Sequence, residues 1–176
     1  MNAGLARDVG SKDVLRTKDG FELTVGTNHL GHFYLTNLLL KENKIDDAGR
    51  IVVTASGVHD PDSPGGAQGS LATLGNLGGL ERQGTAFEMV DGNGFDPDKA
   101  YKDSKLCNVF FTKELQARLN AKEDCAIKAY CFNPGLIVGT GMLLVFWCNQ
   151  INQRSLFSNT LYLFLNSIIN MYNDLS

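Results

Sequence analysis

The sequence predicts an α/β fold in which a parallel sheet is covered by helices on both faces. Two short segments rich in β-branched or aromatic residues, at residues 50–56 and 126–132, have the length of buried strands. A long segment of good helix formers lies between them at residues 97–119. Two strands joined by a helix pair in parallel, because the helix returns the chain to the same end of the sheet.

Length and composition fit one globular domain. The chain has 176 residues, 43% hydrophobic and 20% charged, and a domain averages about 150 residues. The net charge of −3 gives no electrostatic basis for a nucleic-acid partner. No zinc spacing joins the cysteines, so we expect thiols without disulfides at Cys107, Cys125, Cys131 and Cys148. The first residues lack a basic stretch followed by an apolar one, so we expect no targeting signal in this chain.

The first two elements are a helix over residues 19–40 and the strand at residues 50–56. Apolar residues recur through the helix at spacings that bury much of its surface: Phe21, Leu23, Val25, Leu30, Phe33, Leu38 and Leu39. The strand is bounded by Gly49 and Gly57, and its unbroken apolar character predicts burial on both faces.

Residues 57–100 are predicted to form a long loop, because they hold 10 of the 19 glycines and three of the four prolines. A loop of this length inside a compact domain is uncommon, and we interpret it as functional. The second helix then has Asp96 as its N-cap and Pro97 at its first position. The strand that follows it ends at the turn Asn133-Pro134-Gly135.

Residues 143–176 differ from the rest of the chain in composition. Their charged residues are Arg154 and Asp174, and they contain six asparagines. We expect a frameshifted or intron-derived tail. A membrane anchor is the alternative, but the apolar run at residues 161–165 is far shorter than the about 18 residues that a spanning helix requires.

Tyr101, Lys105 and Ser56 are the strongest candidates for chemistry. Tyr101 and Lys105 lie four residues apart on one helix face, and an ammonium beside a phenol favours proton exchange, so Tyr101 can act as a general acid. Ser56 follows a strand, where the ligand crevice of a parallel sheet lies, and its hydroxyl can bind a substrate oxygen. Asn28 adds an amide inside the first helix, with helix packing as its alternative role.

Other polar residues are assigned structural roles. His29 and His32 are three residues apart, but no third ligand lies at a recognisable spacing, so we expect no metal. We expect His59, Asp60 and Asp62 to form turns and Cys107 to pack in the helix interface.

Taken in order, these residues resemble the short-chain dehydrogenase/reductase family. Asn2-Ala3-Gly4 is similar to the end of that family's Asn-Asn-Ala-Gly turn, and Pro134-Gly135 to its turn beside the nicotinamide. The matches to its helix asparagine and its catalytic serine, tyrosine and lysine are Asn28, Ser56, Tyr101 and Lys105. The resemblance implies a Rossmann-type parallel sheet with helices on both faces over residues 1–142, lacking the N-terminal strands and their glycine-rich phosphate loop.

Within that family, residues 17–23, 25–33 and 100–108 and the long loop before Tyr101 resemble the light-dependent protochlorophyllide reductases. This resemblance implies NADPH as cofactor, a tetrapyrrole pigment as substrate and a plastid location, and it leaves peripheral membrane association and an oligomer open. Hydride would pass from NADPH to ring D of the pigment, and Tyr101 would supply a proton to the adjacent carbon. Lys105 would contact the nicotinamide ribose, and Asn28 would hold a water that links Lys105 to solvent. The implied cofactor-binding residues are Asn2, Ala3, Gly4, Tyr101, Lys105, Pro134 and Gly135.

Two departures from the family pattern keep other functions open. Leu136 stands where those reductases have a cysteine, which favours a carbonyl or alcohol oxidoreductase of the same family as an alternative. The second departure is the missing phosphate loop, which the glycines at residues 65–69 do not replace because they lack its strand-to-helix context. A non-catalytic remnant that binds a partner is therefore the third hypothesis.

Overall fold

The structure is a computed structural model, and it describes residues 1–82 and 87–135. Its elements in chain order are helix α1 (Leu23–Val25), a π-helical turn (Gly26–Leu30), helix α2 (Gly31–Lys41), strand β1 (Arg50–Thr54), a 3-10 turn (Gly57–His59), helix α3 (Pro97–Asn120) and strand β2 (Lys128–Phe132). Each helix and strand predicted from the sequence is present with similar bounds. Residues 143–176, for which the sequence predicts an atypical tail, lie outside the described residues.

The first helical segment begins at Leu23, four residues later than its predicted start. Glu22 is the N-cap, and its carboxylate accepts the backbone N–H groups of Thr24 and Val25, both at 2.8 Å. The residues before it form a tight turn instead, closed by a bridge between Arg16 and Glu22. The helix begins after Glu22 because this carboxylate satisfies two backbone donors that a helix end leaves unpaired.

Strands β1 and β2 pair in parallel, with Arg50 opposite Lys128 and Thr54 opposite Phe132. On the other edge of β1, the ammonium group of Met1 donates to the carbonyl of Val52 at 2.7 Å, and the N–H of Thr54 donates to the carbonyl of Met1 at 3.0 Å. The first residue of the chain is therefore held against the sheet, next to the end of β1.

The helices of the described part pack on one face of the sheet. Helix α3 lies across both strands, and the helical segment Leu23–Lys41 packs against α3. The side chains of Ile51, Val53 and Ala129 are buried in the shared core, whereas Val52 and Tyr130 on the opposite face are each 42% exposed. Within the described residues, the expectation that the first strand is covered on both faces is not met, because α1, α2 and α3 all lie on the same side.

The glycine-rich segment is irregular, as the sequence predicts, apart from the 3-10 turn at Gly57–His59. It is nevertheless well packed. Six of its apolar side chains are at most 5% exposed: Leu74, Leu77, Leu80, Phe87, Met89 and Val90. The Phe87 ring packs edge-on against Phe21, with ring centroids 5.8 Å apart. The segment is therefore part of the hydrophobic core and not a detached surface loop.

Two further observations concern only residues 1–82 and 87–135. No helix there combines the length and apolar character needed to cross a membrane. No disulfide joins Cys107, Cys125 and Cys131, and the side chain of Cys107, on α3, is fully buried in the core. The fourth cysteine, Cys148, lies outside the described residues.

Candidate active site

A cleft of about 780 Å³ opens beyond the carboxyl ends of β1 and β2. Among its lining residues are seven that the sequence predicts for the site: Asn2, Gly4, Ser56, Tyr101, Lys105, Pro134 and Gly135. Within the described residues the lining does not include Ala3 or Asn28. The fold therefore brings together the N-terminal turn, the ends of both strands and the start of α3, which are distant in sequence, at the edge where parallel sheets bind ligands.

Tyr101 and Lys105 lie one turn apart on α3, and both face this cleft. The Lys105 ammonium nitrogen is 5.4 Å from the centroid of the Tyr101 ring, and it donates to the backbone carbonyl of Thr54 at 3.4 Å. Lys105 is only 5% exposed. Burial lowers its pKa below the ordinary value, with the nearby Cys131 acting in the opposite direction.

Asn28 is fully buried and lies behind the cleft, where it holds the N-terminal segment in place. Its amide accepts from the N–H of Leu5 and donates to the carbonyl of Leu5, both at 2.8 Å, and it also donates to the Ser104 hydroxyl at 3.0 Å. Gly4 passes so close that a Cβ there would lie 3.2 Å from the Asn28 side-chain oxygen and 3.6 Å from the Lys105 nitrogen. The sequence left a packing role and a catalytic role open for Asn28, and the contacts show that it shapes the cleft through Leu5 and Gly4.

Ser56 lies two residues after the end of β1 and lines the cleft. Its backbone carbonyl accepts from the ring of His59 at 2.5 Å, and Asp60 accepts the N–H of Asp62 at 3.0 Å. His59, Asp60 and Asp62 are thus engaged in the turns that the sequence predicts. They lead the chain to Ser63, Pro64 and Gly65, which form one wall of the cleft.

A set of charged contacts that sequence reasoning missed, here called the loop anchor, attaches the glycine-rich segment to the start of α3. Lys99 pairs with Asp103 at 2.6 Å and with Asp91 at 3.0 Å, and Asp103 also accepts the N–H of Thr73 at 2.9 Å. The Asp103 side chain is completely buried, and burial raises its pKa to about 6 against the opposing effect of Lys99. The spacing of four residues between Lys99 and Asp103 was the available signal.

A second set of contacts that sequence reasoning missed, here called the amide network, lies beneath Lys105. Asn108 donates to the carbonyls of Asn28 and Thr54, both at 3.1 Å, and its oxygen lies 3.0 Å from the Nδ1 atom of His29. Burial lowers the pKa of His29 to about 4. An asparagine three positions after Lys105, inside an otherwise apolar stretch of the helix, was the signal that could have found it.

His29 and His32 make separate contacts. His32 bonds through Nδ1 to the carbonyl of Asn28 at 3.1 Å, while His29 faces Asn108. Across the part of the chain that the structure describes, no group of three His, Cys, Asp or Glu residues is placed to hold a metal ion. Leu136, at which the sequence departs from the family pattern, lies outside that part.

Comparison with known proteins identifies the relatives of this chain. No family model matches it. It is 39% identical over 137 residues to a chloroplastic protochlorophyllide reductase of Pisum sativum, and 41% identical over 138 residues to one of Daucus carota; each match covers 75% of this chain and 34% of the relative. A protochlorophyllide reductase of Avena sativa is 38% identical over 147 residues, covering 80% of this chain and 46% of the relative.

The comparison of structures agrees with this result. A crystal structure of an uncharacterised protein from Mycobacterium paratuberculosis is 37% identical, with a TM-score of 0.50, and the match covers 70% of this chain and 37% of that one. The chain spans between a third and a half of the length of the three curated relatives named above. The sequence identity, together with the parallel α/β architecture, leads to one conclusion: over about three quarters of its length, this chain is homologous to part of the protochlorophyllide reductases.

Proposed function

We propose that this chain carries the nicotinamide end of the active site of an NADPH-dependent reductase, one that reduces protochlorophyllide to chlorophyllide in light. The observation that carries the proposal is the position of Tyr101 and Lys105, one turn apart on the wall of a cleft that also receives Ser56 and the turn at Gly135. Plastid location follows from the same homology, because several of the relatives are named as chloroplastic proteins. The reductase domain would comprise residues 1–142, with residues 143–176 as a separate tail.

We assign the nicotinamide end of the cofactor to this cleft, which lies at the edge where parallel sheets bind ligands. Gly4 passes close to Asn28, whose side-chain oxygen a Cβ there would approach to 3.2 Å, and Gly135 has a φ of 75°, a conformation that favours glycine. Asn2, Gly4, Pro134 and Gly135 would surround the nicotinamide, with Ala3 between the first two in the N-terminal turn, and Lys105 would hold its ribose. When bound, NADPH supplies the hydride.

The residues of this chain would supply the proton and the orientation. Tyr101 would donate its phenolic proton to the carbon next to the one that receives hydride, which completes the reduction of one double bond of ring D. Lys105, beneath the Tyr101 ring, would stabilise the resulting phenolate. Ser56 would hydrogen-bond a substrate oxygen, and Asn28 would keep the N-terminal turn in place.

A carbonyl or alcohol substrate is the second candidate. It is favoured by the hydroxyls of Ser56 and Tyr101 on one cleft, since two such donors suit a developing alkoxide. A third hypothesis is a non-catalytic remnant. The three differ in what they bind and in whether they need light.

The test measures NADPH binding by fluorescence and the light-induced absorbance change of protochlorophyllide with the whole chain. We expect binding, turnover only in light, and a rate at least about 100-fold lower for Tyr101→Phe. Tyr130→Phe is the matched control, because Tyr130 lies on the exposed face of β2. Turnover of simple carbonyls in darkness would establish the second candidate instead, and a folded chain that binds no NADPH would establish the third.

A further inference from the structure

Asn108 is a buried polar residue for which the proposed mechanism has no role. It is 1% exposed and lies on α3, nearly one turn after Lys105. Its amide nitrogen donates to the carbonyls of Asn28 and Thr54. These two carbonyls belong to the π-helical turn and to the end of β1, so one side chain joins three elements behind the cleft.

The orientation of the Asn108 amide follows from its partners. Carbonyl oxygens only accept hydrogen bonds, so the NH2 group must face Asn28 and Thr54, and the oxygen must face His29. The amide oxygen also only accepts, so His29 must donate from Nδ1. Because burial keeps the pKa of His29 at about 4, the ring is neutral at pH 7 and carries its proton on Nδ1.

Asn108 and Lys105 share one acceptor. The Thr54 carbonyl receives the Asn108 amide at 3.1 Å and the Lys105 ammonium at 3.4 Å. The Thr54 hydroxyl in turn donates to the side chain of Asn2 at 2.9 Å. Thr54 is therefore held from both sides, and the longer bond to Lys105 leaves the ammonium near the Tyr101 ring instead of drawn fully onto the carbonyl.

We propose that Asn108 is a positioning residue for Lys105: by occupying the Thr54 and Asn28 carbonyls, it keeps the ammonium beneath Tyr101. The catalytic consequence of this inference rests on the proposed function, whereas the hydrogen bonds of Asn108 and Lys105 to Thr54 do not. Without the Asn108 donors, the Asn28 carbonyl keeps its bond to His32, whereas the Thr54 carbonyl is left with the long bond to Lys105, the cation that can satisfy it more fully. The ammonium then moves toward Thr54 and away from the Tyr101 ring.

The test follows the titration of Lys105 by carbon NMR of lysines labelled at the ε position, with the signal assigned by its loss in Lys105→Met. Asn108→Leu keeps the shape of the side chain but removes the donors. We expect its Lys105 midpoint to rise by about one pH unit, because an unpaired carbonyl stabilises the charged amine. The other groups near Lys105 that can titrate, Tyr101, His32 and Cys131, are unchanged by this substitution.

Thr112→Val is the control. The Thr112 hydroxyl donates to the backbone carbonyl of Asn108 at 2.8 Å, and Thr112 is also buried, at 5% exposure. This substitution should leave the Lys105 midpoint within a few tenths of a unit. A folded Asn108→Leu variant with an unchanged midpoint overturns the proposal. Asn108→Ser, which is too short to reach both carbonyls, must shift the midpoint in the same direction.

NMR of the unsubstituted chain tests the orientation of the Asn108 amide independently. Nitrogen NMR of the His29 ring should show the proton on Nδ1, and a proton on Nε2 would reverse the Asn108 amide and overturn the proposal. Both measurements work without turnover, so a failure of the proposed function leaves them intact. Where turnover is measured, we expect Asn108→Leu to lower kcat and shift its pH profile while KM changes little.

Discussion

The amide network and the loop anchor lie close together on α3 but are built from different chemistry. The amide network joins Asn28, His29 and Asn108 through neutral groups. The loop anchor joins Lys99 to Asp91 and Asp103 through ionised ones. The contrast teaches that the residues behind Lys105 are held by hydrogen bonds between neutral groups, whereas the glycine-rich segment is attached to α3 by ionised groups.

The two regions also respond to pH in opposite directions. Asp103 has its pKa raised from 3.8 to about 6 in the folded protein, so its contribution to stability is complete below about pH 4 and is lost as the pH rises through 6. His29 has its pKa lowered from 6.5 to about 4, so its contribution grows as the pH rises from 4 to 6.5. The two effects oppose each other in the same pH window.

The strongest test of this contrast asks whether the loop anchor or the apolar core holds the glycine-rich segment. Phe87 is fully buried against Phe21, so Phe87→Ala should lower the free energy of unfolding by about 3–5 kcal/mol. Denaturant unfolding measures this value. Leu71→Ala is the control in the same segment, because Leu71 is 50% exposed. A loss no greater than that of the control would show that the charged contacts alone hold the segment.

Asp103→Asn tests how the contribution of the loop anchor to stability depends on pH. The difference in unfolding free energy between the native chain and this variant should fall as the pH rises from 4 to 6, with a slope of at most about 1.4 kcal/mol per pH unit. Taking this difference removes the opposing contribution of His29. Unfolding curves at each pH provide the measurement.

Glu114→Gln is the matched control for that experiment, because Glu114 pairs with Arg118 on the exposed side of the same helix. The same difference measured for this variant should stay nearly flat over the window. A flat result for Asp103→Asn as well would mean that the buried carboxyl titrates as it does in the unfolded chain.

A smaller effect is expected from the backbone of the segment. A Cβ on Gly79 would lie 1.7 Å from the carbonyl oxygen of Met89, whereas one on Gly94 would meet nothing within 4 Å. Gly79→Ala should therefore cost about 1–3 kcal/mol, and Gly94→Ala should be neutral or slightly stabilising. Thermal unfolding of the two variants side by side measures the difference, and equal midpoints would show that the segment can shift to accept the methyl group.

The sequence predicted the elements whose signals are local. Asp96 and Pro97 mark the start of α3, and the short apolar run at residues 50–56 marks β1. It did not predict the burial of Phe87 or Met89, because glycine-rich surroundings carry no periodicity and their packing depends on Phe21 and α3, distant in sequence. Asn108 was missed for a related reason: its partners Asn28 and Thr54 come together only in the folded chain.

The family motifs predicted which residues would line the cleft, but not how Asn28 is used. The sequence suggested that Asn28 orders a water next to Lys105. In the structure its amide is bonded to Leu5 and Ser104, and its carbonyl receives both Asn108 and His32. The water-holding role therefore stays a prediction, and the structural role of this asparagine is the one that the contacts support.

The π-helical turn at Gly26–Leu30 has a consequence for engineering and alignment. It holds one more residue per turn than the α-helices on either side, so every side chain after Leu30 is rotated by about 100° from where uniform helical counting would put it. Tyr34, Leu35 and Leu38, at 44%, 46% and 37% exposure, lie on the side that this rotation selects. Deleting a single residue within this turn would restore a regular helix and leave the inner and outer faces of α2 in place, so a one-residue gap in an alignment belongs in this turn.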